Sequence, residues 1–75
     1  MRDVEIDREP VELFKILKFE GMVPSGGEAK AVVAEGLVSV NGAVETRKRK
    51  KIVSGDVIEF NDDKIRVLLV EEDAQ

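Results

Sequence analysis

The dipeptide Asn41-Gly42 constrains this chain more than any other feature. It separates two short alternating stretches, Leu37-Val38-Ser39-Val40 and Ala43 to Thr46. Two-residue hairpin turns require positive φ at both central residues, which Asn followed by Gly tolerates best. A hairpin is therefore expected in the middle of the sequence. A lone hairpin is marginal in water, so its apolar side needs further strands or a helix to cover it. The second half supplies the strands: Ile52-Val53, a Ser54-Gly55-Asp56 turn, Val57-Ile58-Glu59-Phe60, a turn over Asn61-Asp62-Asp63, and Ile65 to Val70. These runs are short, rich in β-branched residues and bounded by turn formers, the pattern of a mainly antiparallel sheet.

The first half has another period. Val4 and Ile6, separated by charges, read as a short edge strand. Pro10 suits the first turn of a helix, with Glu9 before it complementing the positive helix end. From Val11 to Phe19 the residues Leu13, Phe14, Ile16 and Leu17 form a broad apolar stripe, and Lys15 and Lys18 share the other side. Gly21 and Pro24 then interrupt the chain. Ser25-Gly26-Gly27-Glu28 has the capping-box pattern, in which the Ser25 hydroxyl accepts from the Glu28 amide and Glu28 reaches back. The second helix turns Ala29, Val32 and Val33 inward and stops at Gly36. The expectation is a single α+β domain over residues 1–75, with two N-terminal helices packed on one face of a small, mainly antiparallel sheet. Phe14, Phe19 and Phe60 all fall at expected core positions, so base stacking is poorly supplied and recognition of backbone and shape is the better fit.

Composition narrows the function classes. The 75 residues include no cysteine and no histidine. That removes disulfides, thiolate metal sites, the commonest zinc ligand and the commonest general base. The hydroxyls of Ser25, Ser39, Ser54 and Thr46 have no imidazole to activate them. Asp56 and Glu59 are close enough in sequence to pair, and Asp62-Asp63 could attract a divalent cation, but no calcium-loop spacing surrounds them. A protein that is not an enzyme and uses no metal or cofactor is expected. Hydrophobic residues at 43% and charged residues at 37% suit a folded soluble domain. No apolar stretch approaches the roughly 20 residues that span a bilayer. The N-terminus alternates charged and apolar residues, unlike a secretory signal. A cytoplasmic monomer with no membrane association is the expectation.

Charge carries the loudest signal. The net charge is −4, from 12 basic and 16 acidic residues, yet Arg47, Lys48, Arg49, Lys50 and Lys51 are consecutive. Five adjacent cations repel one another, and a fold gains nothing obvious by collecting them. Contact with phosphates, and the counterion release that follows, gives such a cluster a use. The plainer alternative is a solvated strand and loop whose lysines block edge-to-edge pairing. Ser25-Gly26-Gly27 is an ordinary capped helix start that also exposes backbone amides to an anion. Lys30 lies one turn further on.

Taken together, Ser25-Gly26-Gly27-Glu28-Ala29-Lys30, Glu35-Gly36-Leu37-Val38-Ser39-Val40-Asn41-Gly42 and Gly55-Asp56-Val57-Ile58 resemble the RNA-binding domain named after small-subunit ribosomal protein S-four. The chain looks most like that family's small stand-alone bacterial members. The resemblance implies an alpha-L motif, a two-helix and hairpin surface that grips structured RNA, ribosomal or transfer RNA among the candidates, through its backbone. It also implies contact roles for Ser25, Lys30 and the Asn41-Gly42 turn, with Lys15, Lys18 and the run Arg47 to Lys51 beside them. Members of the family typically carry arginine after the motif serine, where this chain has Gly26, and the usual arginine at the start of the first helix is replaced by the Glu9-Pro10 region. Both differences shift the grip toward the basic run. Two other readings compete. A β-grasp sulfur carrier shares a Val-Asn-Gly hairpin but needs a Gly-Gly C-terminus, whereas this chain ends Glu72-Asp73-Ala74-Gln75. A protein-interaction module could use the same basic strip to dock an acidic partner on the ribosome or on an RNA-processing enzyme.

Overall fold

In the computed structural model, which describes residues 1–70, the chain forms β1 (Arg2–Ile6), β2 (Val11–Glu12), α1 (Leu13–Phe19), α2 (Gly26–Ala34), β3 (Val38–Val40), β4 (Ala43–Val44), β5 (Lys51–Ile52), β6 (Val57–Phe60) and β7 (Asp63–Leu69). Five strands make one sheet in the order β1-β7-β6-β3-β4, and β2 pairs with β5 in a separate two-stranded ribbon. The acidic residues Glu71, Glu72 and Asp73 lie outside the described part.

The sheet follows from strict alternation. Register places Val4 beside Val67, Ile58 beside Ile65, Val40 beside Ile58 and Val38 beside Phe60. One sheet face therefore carries an unbroken apolar surface. The opposite face carries Asp3, Glu5, Lys64, Arg66, Glu59 and Ser39, and Arg66 pairs there with Asp3 at 3.2 Å. Leu13, Phe14, Ile16 and Leu17 of α1 and Ala29, Val32 and Val33 of α2 join the apolar face in one continuous core. Leu13, Leu17, Val33, Val38, Ile52, Ile58, Ile65 and Val67 are wholly inaccessible to solvent. Each large one contributes about 1.5–3 kcal/mol through burial.

Two expectations are corrected. The helices are not N-terminal, because residues 2–12 form β1 and β2 before α1 begins. The sheet is mainly antiparallel as expected, in its β6–β7, β3–β6 and β3–β4 ladders, and β1 adds one parallel pair with β7. A parallel neighbour requires a long crossover, and here the helices and hairpins between the two strands supply it. Helix α1 starts at Leu13 rather than in the Pro10-Val11 turn. Val11 and Glu12 instead pair with Ile52 and Lys51. Pairing with β5 gives the backbone groups of Val11 and Glu12 strand partners, whereas the N–H groups of a first helical turn have none within the helix.

Both helices end alike. The Gly21 and Met22 amides donate to the carbonyls of Lys18 and Leu17, and the Gly36 and Leu37 amides donate to those of Val33 and Val32. These are paired 5→2 and 6→1 bonds that need a left-handed residue after the cap; the φ values are +71° at Gly21 and +78° at Gly36. Leu37, expected in the hairpin strand, is thereby spent on closing the helix. At the start of α2 the Ser25 hydroxyl accepts from the Glu28 amide at 3.2 Å, which is the first half of the expected capping box.

Candidate nucleic-acid interface

The basic run is built into the fold by its backbone. No side chain caps α1, and the first amides of a helix lack partners within it. The loop supplies them: the Leu13 N–H donates to the Lys50 carbonyl at 2.9 Å and the Phe14 N–H to the Lys48 carbonyl at 3.1 Å. Ile52, fully buried, anchors the far side. With carbonyls turned to the helix and Ile52 turned to the core, the cationic side chains are left on the surface. Arg47, Arg49, Lys50 and Lys51 line a shallow concavity of about 380 Å³ there.

Three elements meet around one ring. Phe14 is buried in the core, yet Lys30 Nζ of α2 lies 4.8 Å from its ring centroid, Arg49 Cζ of the loop 5.6 Å and Lys15 Nζ of α1 6.0 Å. The negative face of an aromatic ring attracts each cation, by about 0.5–1 kcal/mol at exposed sites. Phe14 thus offsets part of the repulsion that gathers these cations. Lys18 joins from the next turn of α1: its side chain crosses Gly26 so closely that a Cβ there would sit 3.7 Å from Lys18 Cδ. This brings it to the start of α2, beside Ser25.

Carboxylates occupy some of the cations and leave others. Arg47 pairs with Glu45 at 2.8 Å, Arg49 with Glu12 at 3.4 Å and Lys15 with Glu12 at 3.6 Å. The Arg47 guanidinium and backbone N–H both donate to Glu45 and hold its carboxyl down at about 2, while Arg47 itself is raised. Arg2, Arg8 and Arg66 are also paired with acids. Among the described residues, Lys18, Lys30, Lys48, Lys50, Lys51 and, on the polar sheet face, Lys64 have no carboxylate within 4 Å. In a chain of net charge −4, five of those six lysines are concentrated where α1, α2 and the basic loop converge, and Lys64 alone lies on the far side of the sheet.

Asn41 has a different set of contacts. Its side-chain amide donates to Asp56 Oδ1 at 3.0 Å, its Oδ1 accepts from the Val57 N–H at 2.9 Å, and its own N–H donates to the Val57 carbonyl. The second Asp56 oxygen accepts from the Val53 N–H at 2.9 Å. The Asn-Gly and Gly-Asp motifs are thus two halves of one lock between the β3–β4 turn and the loop before β6. Asp56 is consumed by it, and no cluster of metal-ligating residues exists among the described residues.

Sequence reasoning missed the acids Glu12 and Glu45, although the i, i+3 spacing of Glu12 and Lys15 was a readable signal. It also misplaced Phe19, which is 66% exposed rather than in the core. Four α1 positions already fill the apolar stripe, and Phe19 falls on the side of Lys15 and Lys18. Among the described residues no helix is long and apolar enough to cross a membrane.

A two-helix surface set against a hairpin sheet, with cations gathered at the helix junction, defines an alpha-L-type domain. The model of the S4 domain family matches residues 4–68, and the chain belongs to that family. Its relatives include YbcJ of Escherichia coli K12, 52% identical over 58 residues that span 77% of this chain and 83% of that one. RlbA of Bacillus subtilis 168, a protein named for ribosome maturation, is 38% identical over 57 residues, 76% of this chain and 80% of that one. The solution structure of Escherichia coli YbcJ, described as having an αL motif involved in RNA binding, superposes with a TM-score of 0.69 at 46% identity, covering 88% of this chain and 85% of the other. The crystal structure of 30S ribosomal protein S4e from Thermoplasma acidophilum matches 80% of this chain but 32% of its own, with a TM-score of 0.66 and 30% identity.

Proposed function

We propose that this protein binds structured RNA, ribosomal RNA foremost, through phosphate contacts from the lysine surface formed by α1, α2 and the basic loop. The observation that carries this reading is the segregation of charge. Arginines elsewhere on the chain are matched with acids, whereas Lys18, Lys30, Lys48, Lys50 and Lys51 are left without carboxylate partners among the described residues. Phosphate neutralisation releases condensed counterions and gives affinity without base readout. The family and the RNA-binding motif described for YbcJ support the ligand class. RlbA and S4e favour ribosomal over transfer RNA as the target. Binding is the whole activity in this reading, and no catalytic step is assigned.

The test is fluorescence anisotropy of a labelled RNA hairpin, followed by competition. Excess unlabelled hairpin should displace the label, and polyglutamate at equal charge should not. Failure of the folded protein to bind at low salt, or equal displacement by polyglutamate, would contradict the reading and point to an acidic protein partner.

A further inference from the structure

The exposed face of α1 holds an aromatic that the core does not use. Lys15, Lys18 and Phe19 are spaced i, i+3 and i+4 and so share one side of the helix. Phe19 is 66% exposed, whereas Phe14 and Phe60 are buried at 9% each. Lys18 Nζ lies 5.4 Å from the Phe19 centroid. The ring also borders an open groove of about 1180 Å³ between β1 and α1, whose lining includes Ile6, Val11, Lys15, Lys18 and Lys51. Its acids are largely engaged: Glu12 with Lys15 and Arg49, Glu20 with Arg2, and Asp7 with Arg8. The same groove thus presents an aromatic face, apolar walls and lysines.

We propose that Phe19 is a stacking platform for one unpaired nucleobase, with Lys18 contacting the adjacent phosphate. This rests on the RNA reading and deepens it, because it selects RNA with a bulged or looped-out nucleotide over uninterrupted duplex. The chemistry matches the surface. A base has an apolar face that any aromatic ring covers, and its phosphate lies within reach of a neighbouring cation. Duplex RNA keeps its bases stacked on one another and offers Phe19 nothing. The ring is two-thirds exposed and lies outside the buried core, so its removal should leave folding intact.

The experiment compares two labelled hairpins closed by the same tetraloop of mutually stacked bases, identical except that one carries a single bulged adenosine in its stem. Wild type, Phe19→Ala and Phe19→Trp are titrated with each, and intermolecular NOEs from the Phe19 ring are recorded with the bulged RNA. Phe19→Ala should lose about tenfold in affinity for the bulged hairpin, bind the paired hairpin as wild type does, and keep its Tm. Phe19→Trp should restore bulge preference, and the Phe19 ring protons should show NOEs to the bulged base. Equal losses on both hairpins, or absent NOEs, would overturn the stacking role. Wild-type binding of both RNAs by Phe19→Ala would overturn it too. If wild type binds neither hairpin at low salt, the RNA reading fails and this inference falls with it.

Discussion

Single residues divide here into those that hold the fold and those left available to a ligand, and Asn41 illustrates the division. Its position in a hairpin turn of an S4-family chain suggests a ligand contact, but its polar atoms are bonded to Asp56 and Val57. Its φ of +54° is one that alanine adopts at a cost. Asn41→Ala should therefore lower stability by about 2–3 kcal/mol, combining lost hydrogen bonds with left-handed strain. Below its Tm the variant should bind RNA within about twofold of wild type. Chemical denaturation and anisotropy on the same protein check both halves. A variant of wild-type stability with weakened RNA binding would reassign Asn41 to the interface. The phenylalanines divide similarly. Phe14 serves the core with one part of its ring and Lys15, Lys30 and Arg49 with the rest, while Phe19 lies outside the buried core.

Among elements, the basic loop is the one whose conformation matters most to the site, and Glu45 tethers it. The carboxyl is held at about 2 by Arg47, below the ordinary value of 4.5. A depressed folded-state value means that the pair's stabilisation is fully present above about pH 4.5 and is lost as pH falls toward 2. The Tm difference between wild type and Glu45→Gln should be constant from neutral pH down to that upper limit and shrink below it. A difference independent of pH from 7 to 2 would show that the pair contributes nothing. How far such elements are legible in the sequence depends on whether their cause is local. The hairpin at Asn41-Gly42, the Ser25 cap and the left-handed stops at Gly21 and Gly36 are set by nearby residues, and each forms where those residues stand. The β2–β5 ribbon and the parallel β1–β7 ladder join residues about 40 and 60 positions apart. No local pattern encodes those partners, and so Val11-Glu12 reads as helix until Lys51-Ile52 is set beside it. The site divides the same way. The run Arg47 to Lys51 is visible in the sequence, whereas its meeting with Lys15, Lys18 and Lys30 follows from the docking of α1 against α2 and the loop.

At the scale of the whole molecule, an acidic chain can serve an anionic ligand because its charges are sorted. Arg2 and Arg66 are matched with Asp3, Glu20 and Asp63 around β1 and β7, and five of the six lysines without a carboxylate partner among the described residues gather at the helix junction. Local field rather than net charge then governs attraction. The central claim is that these lysines meet phosphates, and the salt dependence of RNA binding measures it most directly. Five lysine–phosphate contacts predict that log K falls with log[salt] at a slope of about −3.5 to −4.5. The triple variant Lys30→Ala, Lys48→Ala, Lys50→Ala should keep its fold and give a slope about two to three units shallower. A folded triple variant that keeps the wild-type slope would contradict the account, because the phosphates would then be held elsewhere.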